Sequence, residues 1–230
     1  MQVIVNAGQD SVVLSIAGSR VCMAPGQRLL LAGTSAPRHE GLAAHPLAGS
    51  GMARALAHFD HVRDAVRHSA EPPTVCWPVA AALEEPEVAA TWLIDQLARA
   101  PQCMALDHAA GTPLAALLRH LARSESYGLM RFLLKEGGEN SVAALAERYG
   151  LSSAQFHRRC RQVLGRPLKR ELRILRAART LLAYPGRAHS FTYLAADHGY
   201  ASLSHFCTDI KALIGCSPLS VYRAVKTPAE

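Results

Sequence analysis

The chain has 230 residues, half of them hydrophobic, and a formal net charge of +7. This length allows one or two domains with ordinary cores, and no apolar run approaches the roughly 18 residues of a membrane-spanning helix. The first residues also lack the basic-then-apolar order of a signal peptide, so the sequence predicts a cytoplasmic protein.

The positive charge is concentrated in the second half of the chain. Residues 1–119 carry 8 Lys/Arg against 10 Asp/Glu, a net charge of −2, whereas residues 120–230 carry 17 against 8, a net charge of +9. A basic half beside a nearly neutral half indicates binding to a polyanion, with a solvated basic surface as the alternative. We therefore predict two domains that meet between residues 119 and 120.

The first domain begins with the pattern of short strands. Four segments rich in β-branched and aliphatic residues are separated by turn residues: QVIVN, SVVLSIAG, RVCM and RLLLAG. Trp77, in a loop or extended crossing, and Trp92 are interpreted as packing residues. The other predicted elements are a loop over residues 34–51, helices over 52–68 and 84–99, and a helix opening at Thr112-Pro113.

The sequence carries no signature of an enzyme or a metal site. Six cysteines and eleven histidines are scattered without paired ligand spacing, and the cysteines are interpreted as small buried hydrophobes in a reducing compartment. There is no Gly-x-Ser-x-Gly elbow, phosphate-binding glycine loop or His-Glu-x-x-His helix. His205 and Cys207, two residues apart on a helix, point to different faces. We therefore predict no enzyme activity, no cofactor and no metal.

The second domain is predicted to be all helical, and it contains an internal repeat. Residues 141–170 and 191–223 share Leu-Ala near the start of a short helix, Gly before an apolar residue, a Ser, a second helix with a central Phe, and a closing Gly. Each copy therefore predicts a helix-turn-helix unit, a motif whose second helix enters the major groove of DNA. We call the second helix of each unit its reading helix.

Turn, cap and core residues can be assigned within each copy. Gly150 and Gly199 suit a turn that needs positive φ, and Ser152 and Ser202 suit the start of the reading helix, where a hydroxyl accepts a free backbone N–H. The predicted cores are Leu145, Leu151, Phe156 and Val163 in the first unit, and Leu194, Tyr200, Phe206, Ile210 and Leu213 in the second.

The second copy resembles the C-terminal domain of the AraC/XylS family of bacterial transcription regulators. The matching residues are Leu194-Ala195, Gly199-Tyr200, Ser204, Phe206, Ile210-Lys211, Gly215, and Ser217-Pro218 through Tyr222-Arg223, with Ile210 replacing the family's aromatic residue. The resemblance covers residues 124–226. It implies a linker helix, here about 167–183, that holds the two reading helices about one DNA turn, ~34 Å, apart.

The linker segment LKRELRILRAARTLLA fits a helix with one apolar face. Its predicted apolar face consists of Leu168, Leu172, Leu175 and Ala178, and its other faces carry Lys169, Arg170, Arg173 and Arg176.

The resemblance also implies which side chains face DNA. Arg158 is predicted to contact a base, because Arg can bind guanine O6 and N7 with two hydrogen bonds; phosphate contact is the alternative for Arg158, Arg159 and Arg161. Leu203 either meets a thymine methyl or belongs to the core. The second reading helix has few charges, so we predict weaker discrimination from it. The predicted DNA-contacting residues are Ser153, Ala154, His157, Arg158 and Arg161 in the first reading helix, and Leu203, Ser204, His205 and Thr208 in the second.

The resemblance implies a DNA-binding transcription regulator, predicted to be an activator, with promoter DNA and RNA polymerase as partners. The segment MAPGQRLLLAGTSAPRH resembles part of the family's cupin-like sensor, so the first domain is predicted to bind a small molecule or a partner protein, or to form a homodimer. The fold class is α+β, mostly α. The length and the reduced strands are similar to those of compact regulators of type III secretion genes, whose co-activator is a secretion chaperone. The alternative is an architectural, nucleoid-type DNA-binding protein without effector control.

Overall fold

The computed structural model describes residues 1–35, 37–65, 74–99, 112–138, 140–183 and 190–226. It confirms the predicted mixed fold, with strands near the N-terminus and helices throughout the C-terminal half. Two compact units are present, Met1–Phe132 and Leu133–Glu230, so the division falls between residues 132 and 133 rather than between 119 and 120. None of the helices in the described ranges is long and apolar enough to cross a membrane.

A four-stranded antiparallel sheet and a separate hairpin form the β part of the first unit. The sheet has the order β5-β1-β4-β6, and β1 pairs with both β4 and β5. The hairpin pairs β2 with β3. The strands are β1 (Gln2–Asn6), β2 (Val12–Ile16), β3 (Ser19–Met23), β4 (Arg28–Ala32), β5 (Leu42–Pro46) and β6 (Val75–Val79).

The β2–β3 hairpin follows directly from its sequence. Alternate residues of β2 are buried and exposed, as expected for a strand with one face on a core. The connection is the two-residue turn Ala17-Gly18, with φ of 48° and 81°. Positive φ at both positions matches the right-handed twist of paired strands, and Gly adopts it without steric cost. The four predicted strands of the first third are thereby confirmed.

Two strands were not predicted as strands. β5 lies inside the segment that was predicted as the 34–51 loop. The strand was not predicted because it is short, has little β-branched character and exposes most of its second half. β6 falls where a loop or extended crossing was predicted, since Pro78 weakens the strand signal but is tolerated on this edge of the sheet. Trp77 of β6 meets Trp92 edge to face, with ring centroids 5.0 Å apart, which confirms the packing interpretation.

Helices complete the first unit, and the chain then runs on through a helix that crosses the division. The predicted 52–68 helix is shorter than expected, because it ends at Val62 and Asp64 follows with φ of 50°; residues 66–68 of that prediction lie outside the described residues. Thr112 caps the third helix by accepting a hydrogen bond from Ala115 N at 3.2 Å, as its position predicted. These helices are α1 (Ser50–Val62), α2 (Pro86–Arg99), α3 (Pro113–Ala122) and α4 (Glu125–Glu136).

The second unit contains the two predicted helix-turn-helix pairs and the predicted linker helix between them. Phe156 and Phe206 are fully buried, one at the centre of each pair. The linker helix begins at Leu168 and ends at Ala183, close to the predicted 167–183. The helices are α5 (Val142–Arg148), α6 (Ser153–Leu164), α7 (Leu168–Ala183), α8 (Phe191–Asp197), α9 (Leu203–Ile214) and α10 (Pro218–Lys226).

The interpretation of the cysteines as buried hydrophobes is only partly correct. Cys160 is buried in α6, whereas Cys22 is exposed because it pairs with Val13 on the outward face of the hairpin. Cys103 lies outside the described residues. Cys76, Cys207 and Cys216 are half-buried, and each of these five described cysteines is a free thiol.

Cys160 and Cys22 should differ sharply in reactivity. Burial raises the pKa of Cys160 to about 11, so only about one thiol in a thousand is ionised at pH 8, and the thiolate is the nucleophile. We expect brief treatment of the folded protein with iodoacetamide to alkylate Cys22 and spare Cys160, as read by peptide mass spectrometry. The denatured protein, which should react at both, is the control. Equal labelling of both thiols in the folded protein would contradict this placement of α6.

Candidate nucleic-acid interface

The two helix-turn-helix pairs share one turn geometry. Gly150 and Gly199 have φ of 77° and 72°, and both follow the last turn of the first helix. In each pair, the residue after the Gly donates a backbone hydrogen bond to the carbonyl five residues earlier. Leu151 N donates to Ala146 O at 2.9 Å, and Tyr200 N donates to Ala195 O at 2.9 Å. The positive φ predicted for both glycines is therefore confirmed, and the repeat in the sequence is a repeat in the backbone.

Both reading helices also begin in the predicted way. The Ser152 hydroxyl accepts from Gln155 N, and the Gln155 side chain accepts from Ser152 N at 3.0 Å, which makes a capping box. The Ser202 hydroxyl accepts from His205 N at 3.1 Å without a returning bond. His205 occupies the position in the second reading helix that Gln155 occupies in the first. The Gln155 side chain takes part in the cap, whereas the His205 side chain does not and can make other contacts.

Removing the capping box should weaken the first reading helix measurably. We expect Ser152→Ala to lower the free energy of unfolding of the second unit by about 1 kcal/mol, because the Gln155 backbone N–H loses its acceptor and the Gln155 side chain loses the hydroxyl that donates to it. Chemical denaturation followed by far-UV circular dichroism measures this change. Ser153→Ala, one residue on and exposed, is the matched control. Equal unfolding curves for the two variants would be inconsistent with the cap.

The predicted contact residues of the first reading helix form an exposed surface. Ala154, Arg158 and Arg161 are spaced four and three apart, so they share one face of α6, with Ser153 and His157 beside them. All five are exposed, and the buried residues Phe156, Cys160 and Leu164 face the core. Across the described part of the chain, no acidic group forms an ion pair with Arg158 or Arg161.

The second reading helix presents a surface of different chemistry. Ser204, His205 and Thr208 are exposed, and none of them carries a fixed charge. The His205 ring lies edge-on to the Tyr200 ring, with centroids 5.6 Å apart, so the turn supports its position. Leu203 is half-buried and packs against the core cluster that contains Tyr200 and Phe206, which places part of this side chain in the core.

One buried residue beside this candidate interface was not identified from the sequence. Asp209 follows Thr208 directly, and no role was predicted for it. Its side chain is just 6% exposed and accepts from Nε of Arg173, on α7, at 3.0 Å. The terminal Nη2 of Arg173 donates to the same oxygen. This hydrogen bond raises the pKa of Arg173 above its ordinary value. The only available signal was a single acidic residue in a helix whose other fixed charge is Lys211.

A row of arginines on α7 contacts the elements around it. Arg173 and Arg176 do lie off the apolar face of α7, as predicted, but they are bound within the unit. Arg176 lies over the Tyr200 ring, 5.6 Å from the centroid, and donates to Gly199 O at 3.4 Å. Arg179 donates to Leu134 O, in the last turn of α4. The three are spaced by three residues, so one side of α7 binds α9, the second turn and α4.

The predicted apolar face of α7 is slightly displaced from the observed one. Leu168 and Leu175 are buried as predicted, whereas Leu172 and Ala178 are only half-buried. The remaining buried positions are Glu171, Ala177 and Thr180. Lys169 and Arg170 remain exposed at the start of the helix. Nowhere in the described ranges do three His, Cys, Asp or Glu side chains form a group that could hold a metal ion.

Comparison with known proteins finds a domain model and curated relatives that match this unit. Residues 145–224 match a family model described as a helix-turn-helix domain. Over 103 residues, 44% of this chain, the sequence is 44% identical to "Invasion protein InvF" of Salmonella typhimurium and 36% identical to "Transcriptional regulator MxiE" of Shigella flexneri. The matched part spans about half of each relative, 48% and 49% of their lengths. Neither name is that of an enzyme, in agreement with the sequence-based prediction.

A solved AraC-type DNA-binding protein from Chromobacterium violaceum is also similar, at 21% identity and a TM-score of 0.37, over 39% of this chain and 80% of that one. The two matched turns, the two capped reading helices and the match of residues 145–224 identify an AraC-type helix-turn-helix domain in the second unit, as the resemblance to the AraC/XylS family implied.

Proposed function

We propose that this protein is a sequence-specific transcription activator that reads a two-part promoter site. The observation that carries the proposal is the pair of capped, exposed reading helices attached to one linker helix, α7. A linker of this kind presents both helices to successive major grooves on one side of the duplex, about one DNA turn apart. RNA polymerase is the second partner that activation requires.

The first reading helix should supply most of the sequence discrimination. Arg158 and Arg161 have no ion-pair partner in the described chain, and His157 lies beside them. An Arg that enters the groove can bind guanine O6 and N7 together, a pairing worth roughly 1–3 kcal/mol against a wrong base. We assign base contact to Arg158 and phosphate contact to Arg161, with Ser153, Ala154 and His157 lining the groove.

The second reading helix should recognise its bases through weaker contacts. Ser204, His205 and Thr208 offer hydrogen bonds but no fixed charge, so each contact contributes less than a bidentate arginine. Leu203 adds an apolar edge where it emerges from the core. Thus we expect the second half of the site to be less strictly specified than the first.

We propose further that the first unit receives the activating signal from a partner protein, namely a type III secretion chaperone. The support is the compact first unit, whose described residues form a four-stranded sheet and a hairpin, and the similarity of the second unit to a protein named for invasion. A promoter reporter tests this in cells that express the regulator with or without the candidate chaperone. Activation that needs the chaperone supports the proposal; full activation without it favours a small-molecule effector or a homodimer that acts alone.

Direct binding separates the regulator from an architectural protein of the nucleoid. We expect the affinity of the full-length protein for its selected site to fall with salt, with a log–log slope of about −0.9 per phosphate contacted. Affinity for unrelated duplex should fall equally steeply but start far lower, because base contacts are absent. Fluorescence anisotropy over a salt series gives both values. Equal affinity for the two duplexes at every salt concentration would favour the architectural alternative.

A further inference from the structure

We propose that Arg173 and Asp209 are positioning residues which set the orientation of the second reading helix and thereby its sequence preference, an inference that rests on the proposed DNA-binding function. Neither side chain is assigned a DNA contact. Arg173 belongs to the linker helix and Asp209 to the reading helix, so their contact fixes one helix against the other.

The location of Asp209 on α9 supports this role. It follows Thr208 directly and lies four residues, about one helical turn, after His205, so it flanks the predicted reading surface. Its side chain is nonetheless turned inward and 6% exposed. A carboxylate would repel DNA phosphates if it faced them, whereas here it is directed towards α7 and held by a guanidinium.

The repeat provides an internal comparison. Counted from the central Phe of each reading helix, the position of Asp209 corresponds to Arg159 in the first, because each lies three residues after Phe206 or Phe156. The two copies thus differ in the sign of the charge at this point. Only the second copy has an acidic residue there, and that residue contacts the linker helix, which indicates a role inside the unit.

The geometry of the contact makes it directional. Nε and Nη2 of Arg173 both donate to Oδ1 of Asp209, so the guanidinium approaches one oxygen with two of its nitrogens. A planar guanidinium fixes direction in a way that the single ammonium of Lys does not. Arg176, one turn further along α7, holds the turn before the reading helix through Gly199 O and the Tyr200 ring. The two arginines together fix both the start and the middle of this motif.

The test compares discrimination at each half of the site. The probe is the two-part duplex that full-length wild-type protein selects from a random library, with base changes placed in one half at a time. For each half, the discrimination ratio is the Kd for the changed duplex divided by the Kd for the selected one. The variants are Asp209→Asn, Arg173→Ala and Arg173→Lys. Arg170→Ala, which removes the same charge from an exposed position of α7, is the matched control.

We expect Asp209→Asn and Arg173→Ala to lower the ratio at the second half by roughly fivefold, with Arg173→Lys between them and wild type. The ratio at the first half and the far-UV circular dichroism should stay unchanged. The discrimination ratio of Asp209→Asn at the second half is decisive. If the substitution acted through charge alone, this variant would bind all DNA more tightly and its ratio would not change. Arg170→Ala should weaken binding to all duplexes alike.

Each other result contradicts the proposal in a distinguishable way. An unchanged ratio at the second half, in any variant that keeps its circular dichroism spectrum, overturns the positioning role alone. A wild-type protein that selects only a one-part sequence also overturns it, but leaves DNA-binding regulation in place. A wild-type protein that selects no sequence at all overturns the proposed function together with this inference. Loss of the folded spectrum in all three variants would assign the pair to stability and overturn the specific role.

Discussion

Phe156→Ala is expected to unfold much of the second unit and abolish specific DNA binding. Phe156 is fully buried at the centre of the first helix-turn-helix pair, with its ring 5.3 Å from that of Tyr149. Truncating such a side chain costs roughly 3–5 kcal/mol, because burial and dispersion contacts are lost and a cavity remains. That is a large part of the roughly 5–15 kcal/mol by which a whole domain is stable.

The two tryptophans give this experiment an internal control. Trp77 and Trp92 both lie in the first unit, so their fluorescence reports on that unit, while far-UV circular dichroism includes the helices of the second. In a urea titration of the variant, we expect the second unit to unfold early and the tryptophan transition to stay in place. Phe156→Leu, which keeps most of the volume, should lose far less stability. An unaltered circular dichroism transition in Phe156→Ala would contradict the assigned core.

Arg158→Ala is expected to weaken specific binding by roughly 1–3 kcal/mol, or about five- to 150-fold in Kd. The loss should exceed that of His205→Ala or Thr208→Ala, because an Arg can make two hydrogen bonds to one guanine. Anisotropy with the selected duplex measures each variant. Binding to unrelated duplex should fall only slightly, since such binding depends on phosphate contacts and Arg158 is assigned to a base.

Arg170→Ala again serves as a charge-matched control, because it removes one positive charge from an exposed position outside the reading helices. If Arg158→Ala and Arg170→Ala weaken specific and unrelated duplexes by the same factor, Arg158 contacts phosphate instead of a base. If His205→Ala and Thr208→Ala have the larger effects, the second reading helix dominates and the ranking of the two motifs is wrong.

Much of the second unit could be predicted because its determinants are local. A Gly with positive φ, a Ser at a helix start and an apolar residue every three or four positions each act over a few residues, and the repeat supplied two copies to compare. The first four strands were predictable for the same reason. Their alternation and turn residues are both short-range features.

What the sequence did not predict depends on contacts between distant residues. β5 forms because β1 offers it a partner about 40 residues earlier, although LAAHP has weak strand propensity of its own. Asp209 is 36 residues from Arg173, so its burial depends on how α7 passes α9. The predicted domain boundary followed the change in charge, whereas the compact units follow packing, and α4 continues across the division.

Genome-wide occupancy of the full-length protein, with Arg158→Ala as the paired control, tests the central claim most directly. We predict discrete promoter peaks that share a two-part motif about one helical turn apart, with the first half more strictly specified, and we predict that Arg158→Ala loses them. Diffuse occupancy that Arg158→Ala leaves unaltered would contradict sequence-specific regulation, and would mean that the basic unit binds DNA through its charge alone.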